Sequence, residues 1–316
     1  MKKTILIFGV SSFVGANLAE ALRNEYRIIG TYHTTPVEIP GVSCVPCDVL
    51  KRDVVTYLLT LFRPDFTIYS VGLSSLKECQ LYPRLAESLN TLGAINCSTA
   101  SERVGCRFIQ LSSAFVLGGE KTMYKEGDSP FPLTNLGHTL TSTEFQIQRS
   151  NFNYLILRCS SLYGRSFNHT HLNWFEVLQA ALARKEPVFA DDTVSYGFLD
   201  VQLLAGILKS ALESGVVNRL FHVSTKNVMT RFEFARAYAR VFKKDAGLVQ
   251  KITGAFPIDH SRNLKESDST NLSYHLDTSN LESFLNIELP SIEESLGYTL
   301  KRFQNLSSGK SSSQTP

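Results

Sequence analysis

The sequence predicts an α/β fold, a doubly wound parallel sheet with a smaller C-terminal α/β lobe. Three observations predict it. Short apolar runs alternate with helical patterns through the first half of the 316 residues, the rhythm of successive βαβ units. The first apolar run ends on a glycine and leads straight into residues with helical spacing. The second half keeps capped helices but loses the regular alternation, as a separate lobe would.

Thr4–Phe8 reads as a buried parallel strand. Apolar residues at 14, 18, 21 and 22 make Val14–Leu22 a helix. Arg27–Tyr32 is a second strand and Val42–Val45 a third, ending near Asp48. Val54–Phe62 is a helix stopped before Pro64, and Phe66–Val71 is the fourth strand. A long helix spans Pro83–Val104, Arg107–Leu111 is the fifth strand, Glu144–Arg149 closes another helix, and Tyr154–Leu157 is the sixth strand. Further on, Asp200 caps a helix around Leu203–Leu212. Thr230-x-x-Glu233 is a capping box before Phe234–Phe242, and Ser291-x-x-Glu294, after Pro290, opens the last helix. From Ser307 the composition is that of a disordered tail. The expected division is a nucleotide-binding domain over 1–160, with 197–222 returning to it, a substrate lobe over 161–306, and a tail over 307–316.

Composition narrows the function classes. The chain carries 32 basic and 29 acidic residues, a net charge of +3, with no long run of like charge. That excludes an electrostatic footprint for nucleic acid. Lys2 and Lys3 precede an apolar stretch that stops at Gly9 after only five residues, too short for a secretory signal, and no segment has the length of a membrane helix. Cys44, Cys47, Cys79, Cys97, Cys106 and Cys159 fall in core segments. Reduced thiols and a cytoplasmic location are expected.

The turn after the first strand is Gly9-Val10-Ser11-Ser12-Phe13-Val14-Gly15. A glycine turn between a strand and a helix is the Rossmann-type phosphate loop, in which backbone amides at the helix N-terminus face a pyrophosphate. Gly9 permits the tight turn and Gly15 the close helix–strand packing. Ser12 fills the place where a third glycine often lies and brings its own hydroxyl. The second strand ends in Thr31, Tyr32 and His33, with no acid to take ribose hydroxyls, so the choice between NAD and NADP stays open. Asp48 has two readings, a contact to an adenine amino group or turn formation. The expected dinucleotide site comprises Gly9, Ser11, Ser12, Phe13, Val14, Gly15, Thr31, His33, Asp48, Val49, Ser70, Val71 and Gly72.

Beyond this loop the chain resembles the extended short-chain dehydrogenase/reductases, near the dTDP-4-dehydrorhamnose reductases, up to about residue 300. The resemblance runs collinearly through Arg63-Pro64-Asp65, Asn90, Leu111-Ser112-Ser113-Ala114-Phe115-Val116 and Met123-Tyr124-Lys125-Glu126. It continues in Leu157-Arg158-Cys159-Ser160-Ser161-Leu162-Tyr163-Gly164, Phe198-Leu199-Asp200-Val201, Phe221-His222-Val223-Ser224 and Leu276-Asp277-Thr278-Ser279-Asn280-Leu281.

The resemblance implies chemistry by three groups. These are a Ser or Thr after the fifth strand, a general-acid Tyr, and a Lys four residues later that holds the nicotinamide ribose and lowers the tyrosine pKa. A phenol with a pKa near ~10 needs that cation to work at neutral pH. In the matching segment, Pro132-Leu133-Thr134-Asn135-Leu136-Gly137-His138-Thr139-Leu140-Thr141, the Tyr position is Leu136 and the Lys position is Leu140. Only Ser113 survives as a catalytic residue. The sugar-side Asp and Tyr are Ala114 and Phe115, and Ser161 stands where a Trp often lies, which implies a more apolar pocket. His138 lies two residues past Leu136, roughly 200° around the helix, and is expected to face away from the cleft. Thr139 and Thr143 lie closer to the right face but are alcohols without a base. Removing a general acid costs about 10²–10⁴ in rate.

The resemblance therefore implies an NAD(P)-binding protein, catalytically impaired, that acts as a binding or regulatory protein on a nucleotide sugar, another small molecule or a protein partner. One branch of the family resembles a regulatory subunit of methionine adenosyltransferase. The alternative is an active reductase of a dTDP-4-keto-6-deoxy sugar in polysaccharide or deoxysugar biosynthesis. Remaining features have plain readings. Cys44-x-x-Cys47 is structural, His169-Thr170-His171 a solvated loop, Asp191-Asp192 a turn, and Arg219 and Lys226 surface charge. The Asn-x-Ser/Thr sequences at Asn96 and Asn168 carry no glycan in the cytoplasm.

Overall fold

The computed structural model describes residues 2–150, 153–167, 172–253 and 272–307. The first half runs β1 (Thr4–Phe8), α1 (Phe13–Leu22), β2 (Arg27–Tyr32), β3 (Ser43–Pro46), α2 (Arg52–Phe62), β4 (Phe66–Tyr69), α3 (Leu76–Leu81), α4 (Pro83–Ala86), α5 (Ala94–Arg103), β5 (Arg107–Ser113), α6 (Asn135–Ser150) and β6 (Tyr154–Cys159). The second half runs β7 (Ser161–Tyr163), α7 (Trp174–Ala183), β8 (Val188–Asp191), β9 (Val194–Tyr196), β10 (Phe198–Asp200), α8 (Val201–Glu213), β11 (Arg219–Val223), β12 (Met229–Thr230), α9 (Arg231–Val241), β13 (Val249–Ile252), β14 (Leu272–Tyr274), α10 (Ser279–Leu285) and α11 (Ile292–Ser307).

Seven parallel strands form one sheet in the order β11-β6-β5-β4-β1-β2-β3. The chain winds from β1 toward β3, then restarts at β4 and winds the other way. The reversal lies between β1 and β4, and there the crevice at the carboxyl ends of the strands receives ligands in such sheets. Helices cover both faces, so Ile5, Leu6, Ile7 and Phe8 are all fully buried. The Arg63-Pro64-Asp65 stretch has a mechanical role. Arg63 adopts a left-handed conformation that ends α2, and the Asp65 carboxylate accepts the Thr4 amide at 2.7 Å, setting β4 beside β1.

The expected long helix over Pro83–Val104 is present with one change. Residues Glu87–Gly93 between α4 and α5 wind as a π-helix. Helices α3, α7 and α10, strand β11 and the short strands β7 to β10 and β12 to β14 are additional to the sequence reading. The short strands pair as β10-β7, β12-β9-β14 and β13-β8, outside the large sheet. The capping boxes are as expected: Thr230 with Glu233, and Ser291 with Glu294. Asp200 caps α8 and also holds Arg302 of α11 through two hydrogen bonds of 3.1 and 2.7 Å. Ser307, expected in the tail, is the last residue of α11, because the helix keeps its hydrogen bonds through a polar sequence. The rest of the expected tail, 308–316, lies outside the described residues, as do Asn168 and His169-Thr170-His171. No helix among the described residues is long and apolar enough to cross a membrane.

Candidate functional site

The phosphate turn sits at the reversal of the sheet. Gly9 has φ +83, and its amide and that of Val10 both donate to the Thr31 carbonyl, at 3.1 and 2.8 Å. A Cβ on Gly9 would lie 2.8 Å from the Val71 side chain, and one on Gly15 would lie 2.3 Å from the Gly9 carbonyl oxygen. Both positions therefore require glycine, the first for conformation as well as space. Ser12 is the N-cap of α1, and its hydroxyl accepts the Gly15 amide at 3.0 Å. The extra hydroxyl that the sequence offered to a ligand is thus already engaged within the turn. It also lies 3.4 Å from the Ser70 hydroxyl, which donates to the Phe8 carbonyl at 2.8 Å. The amides of Phe13 and Val14 stand at the open end of α1, where helix geometry gives them no internal acceptor.

The other expected residues gather around this turn at the same edge of the sheet. The buried Thr31 hydroxyl receives the Gly9 amide at 3.3 Å, and His33 is exposed just past β2. Asp48 accepts the Leu50 amide at 3.0 Å, the contact of the turn-forming reading. Val49 is buried, with its carbonyl held by Asn96 at 3.0 Å. Ser70 to Gly72 continue from β4. Gly72 has φ +150, and a Cβ there would lie 2.3 Å from the Asn90 amide oxygen.

Asn90 explains the π-helical turn. Its side chain accepts the Leu73 amide at 2.9 Å, and its NH₂ donates to the Leu73 carbonyl at 3.1 Å and to Thr139 at 3.0 Å. The wider turn frees the Asn90 carbonyl, which accepts the Thr143 hydroxyl at 2.9 Å. Thr139 and Thr143 are committed to this seam between the long helix and α6 and are unavailable for proton transfer.

The positions at which the resemblance expects the Tyr and Lys are buried and apolar. Leu136 is 5% and Leu140 8% exposed. Both belong to an apolar cluster that also holds Cys79, Ala114, Tyr196 and Tyr274, with Leu73, Leu76 and Phe115 packed against it. Gly137 between them fixes the register, since a Cβ there would lie 2.0 Å from the Phe115 carbonyl oxygen. Ser113 is half-buried, and its hydroxyl accepts the Phe115 amide at 3.3 Å. The Phe115 ring meets Tyr274 edge-on at 5.0 Å and Tyr196 at 6.2 Å. Burial raises the pKa of both phenols above its ordinary value, although Arg231 opposes the shift at Tyr196. Among the described residues, no lysine acts on either tyrosine to lower that pKa. His138 is half-buried.

One buried polar row lies beneath the site. Ser112, Arg158 and His222 align across β5, β6 and β11. Glu144 of α6 bonds Arg158 in a two-pronged pair, at 3.0 and 2.7 Å, and accepts the Ser112 hydroxyl at 2.5 Å. The His222 ring is fully buried beside the backbone of Asp277 and Tyr124. Burial, and then the Arg158 charge, lower its pKa to about 4. Sequence reasoning missed this row, although an arginine inside an apolar strand was its signal. The Cys44 and Cys47 thiols are free, and burial pushes Cys47 up to about 12, as structural cysteines require. Asp191 accepts the Thr193 and Val194 amides, forming the expected turn, and Lys226 pairs with Glu288.

On the second lobe, Arg231 lies over the Trp174 ring at 5.3 Å. A groove of about 510 Å³ opens beside it, lined by Val228, Met229, Phe232, Glu233, Arg236 and Arg240. Neither Arg236 nor Arg240 forms a salt bridge among the described residues.

Comparison with known proteins bears on this arrangement. The family model for the RmlD substrate binding domain matches residues 1–305. The probable low-salt glycan biosynthesis reductase Agl14 of Haloferax volcanii is 25% identical over 96% of this chain and 99% of its own. The methionine adenosyltransferase 2 subunit beta of Xenopus laevis is 23% identical over 78% of this chain and 75% of its own. Among solved structures, the dTDP-4-dehydrorhamnose reductase of Bacillus anthracis in complex with NADP superposes with a TM-score of 0.78 at 21% identity, covering 96% of this chain and all of that one.

Proposed function

Since the chain belongs to the RmlD substrate binding domain family, we propose that it is a nicotinamide-dinucleotide-binding member that has lost hydride-transfer chemistry and acts as a binding or regulatory protein. The observation that carries this reading is the pair Leu136 and Leu140, buried in an apolar cluster where the resemblance requires a phenol and a cation.

The residues present fit the dinucleotide. Glycines whose Cβ positions are blocked hold the turn, and the α1 amides stand open to a pyrophosphate. The Bacillus anthracis relative carries NADP, which supports the same ligand here. A bound nicotinamide supplies a hydride. This chain's own residues would then have to deliver a proton to a ketone oxygen, and the candidates among the described residues are poorly suited to it. Ser113 is an alcohol without a base, Thr139 and Thr143 are spent on the helix seam, and Tyr196 and Tyr274 have pKa values raised by burial. The likeness to a methionine adenosyltransferase subunit favours a protein partner. The six free cysteines favour the cytoplasm. The division into 1–160 with 197–222, and 161–306, is supported by β11 joining the large sheet while β8, β9 and β12 to β14 pair outside it.

A second reading, an active nucleotide-sugar reductase, is favoured by two observations. One is the near full-length match to Agl14. The other is the arginine-lined groove beside Trp174, suited to a diphosphate. Titration with NADPH and NADH, followed by an assay of cofactor oxidation with dTDP-4-keto-6-deoxy sugars, separates the two. Cofactor binding without turnover is expected. Turnover at ordinary reductase rates overturns the first reading and establishes the second.

A further inference from the structure

The outer face of α9 carries positive charge that the described residues around it do not balance. Phe232, Arg236 and Arg240 recur every four residues along the helix, so they form one stripe about 12 Å long. Arg236 and Arg240 are exposed. With Val228, Met229 and Glu233 the stripe lines a groove of about 510 Å³. Phe232 is buried, and the Arg236 guanidinium and the Lys251 ammonium lie 5.7 and 5.0 Å from its ring centre. The acids nearby are engaged elsewhere. Glu233, the acid in the lining, accepts the Thr230 amide at 2.9 Å and the Thr230 hydroxyl at 3.3 Å. Asp192 pairs with Lys251 at 3.1 Å, and Asp245 accepts the Gly247 amide at 2.8 Å. Among the described residues no carboxylate pairs with Arg236 or Arg240. Lys243 and Lys244, exposed just past the helix, add charge of the same sign.

We infer that this groove docks an acidic, partly apolar segment of a partner protein. Carboxylates of the segment meet Arg236 and Arg240, and an apolar side chain lies over Val228, Met229 and Phe232. The inference rests on the binding-protein reading above and names the chemistry of the partner. Three features favour this occupant. Side chains four apart on a helix start about 6 Å apart, which matches carboxylates one turn apart on a helix or on alternate residues of an extended segment. Clustered arginines are a recurrent means of recognising acidic segments, since each guanidinium takes a carboxylate through two hydrogen bonds. Val228, Met229 and Phe232 are half of the lining, an apolar surface that a diphosphate leaves unused and a protein segment covers. The net charge of +3 without a basic run sets nucleic acid aside.

The test is a titration of the full chain with a peptide of repeated Glu-Glu-Leu units, about twelve residues long so that it spans the stripe as a helix or extended. Binding that weakens with added salt is expected, with a loss of about tenfold or more when glutamine replaces the glutamates. Arg236→Glu with Arg240→Glu should weaken the acidic peptide by about tenfold or more as well. Lys77→Glu with Arg84→Glu makes the same change of charge at exposed positions on α3 and α4 and should leave the affinity as it was. Circular dichroism checks the fold of both double variants. Absence of binding, equal binding of the glutamine peptide, or equal losses in the two double variants overturns the inference. So does tighter binding of dTDP, or of vesicles containing phosphatidylserine, that is lost in Arg236→Glu with Arg240→Glu. Each of these results leaves the binding-protein reading standing, because that reading falls only on turnover of a dTDP-4-keto-6-deoxy sugar.

Discussion

The turn from Gly9 to Gly15 and the α6 segment from Leu136 to Leu140 carry two parts of the family pattern, and they differ from it in different ways. The turn keeps its glycines because their demands are steric. A side chain at Gly15 would run into the Gly9 carbonyl oxygen at 2.3 Å, whatever the ligand. The positions where the resemblance expects Tyr and Lys carry no such steric demand, and the leucines there are part of a core shared with Phe115, Tyr196 and Tyr274. Under the proposal, the machinery for holding a ligand belongs to the fold and the machinery for reacting with it does not.

The surest way to break the comparison is Gly15→Val. The branched side chain cannot fit between the Gly9 carbonyl and the Ser70 hydroxyl, so dinucleotide affinity should fall by about a hundredfold or more by calorimetry. Unchanged affinity would mean that the turn is not where the ligand sits.

How far these two regions were legible in the sequence differs for the same reason. The turn is contiguous, and its neighbours on β1, β2 and β4 announce themselves as apolar runs. The six strands expected in the first half are all present, with ends shifted by one or two residues. That leucines stand where the resemblance expects Tyr and Lys was also legible, because Gly137 sets the register of the match. What closed over those positions was not. Tyr196 and Tyr274 come from strands of three residues each, too short to show a period, and they meet Phe115 only through the tertiary fold. The row of Ser112, Arg158 and His222 likewise assembles from three separate strands. The π-turn depends on Asn90 meeting Leu73 and Thr139, which no local pattern encodes.

The polar row tests whether the layer below the site is structural. Glu144→Ala leaves the Arg158 guanidinium buried without its partner, and chemical denaturation should show a loss of about 3–5 kcal/mol. A loss under 1 kcal/mol would contradict the placement of the pair. His222 gives the row a pH signature. Its folded pKa of about 4 lies below the ordinary value near ~6.5, so between these values the unfolded chain binds more protons than the folded one. Stability should therefore decline as the pH falls through ~6.5 and level off below the folded value, by up to ~3 kcal/mol in all. His222→Leu should flatten that window in denaturation curves taken across it.

Restoring the missing pair by Leu136→Tyr with Leu140→Lys sharpens the comparison from the other side. A lysine introduced into the apolar cluster loses hydration, and the double variant should be less stable by about 2–3 kcal/mol. It should also remain without turnover, because Ala114, Phe115 and Ser161 still lack the polar sugar contacts that the resemblance assigns to their positions. Regained activity would show that the pair alone was missing. The smallest effect is expected at Ser12→Ala. It removes the N-cap of α1 at a cost of about 1 kcal/mol, read as a modest drop in melting temperature with the glycine turn still able to bind.

The most direct test of the account is a single-turnover experiment. Protein saturated with NADPH deuterated at the transferred position is mixed with a dTDP-4-keto-6-deoxy sugar, and the sugar is analysed by mass spectrometry. The account predicts bound cofactor and no deuterium in the sugar after many turnovers' worth of time for a competent reductase. Deuterium appearing in the sugar at such a rate would contradict it.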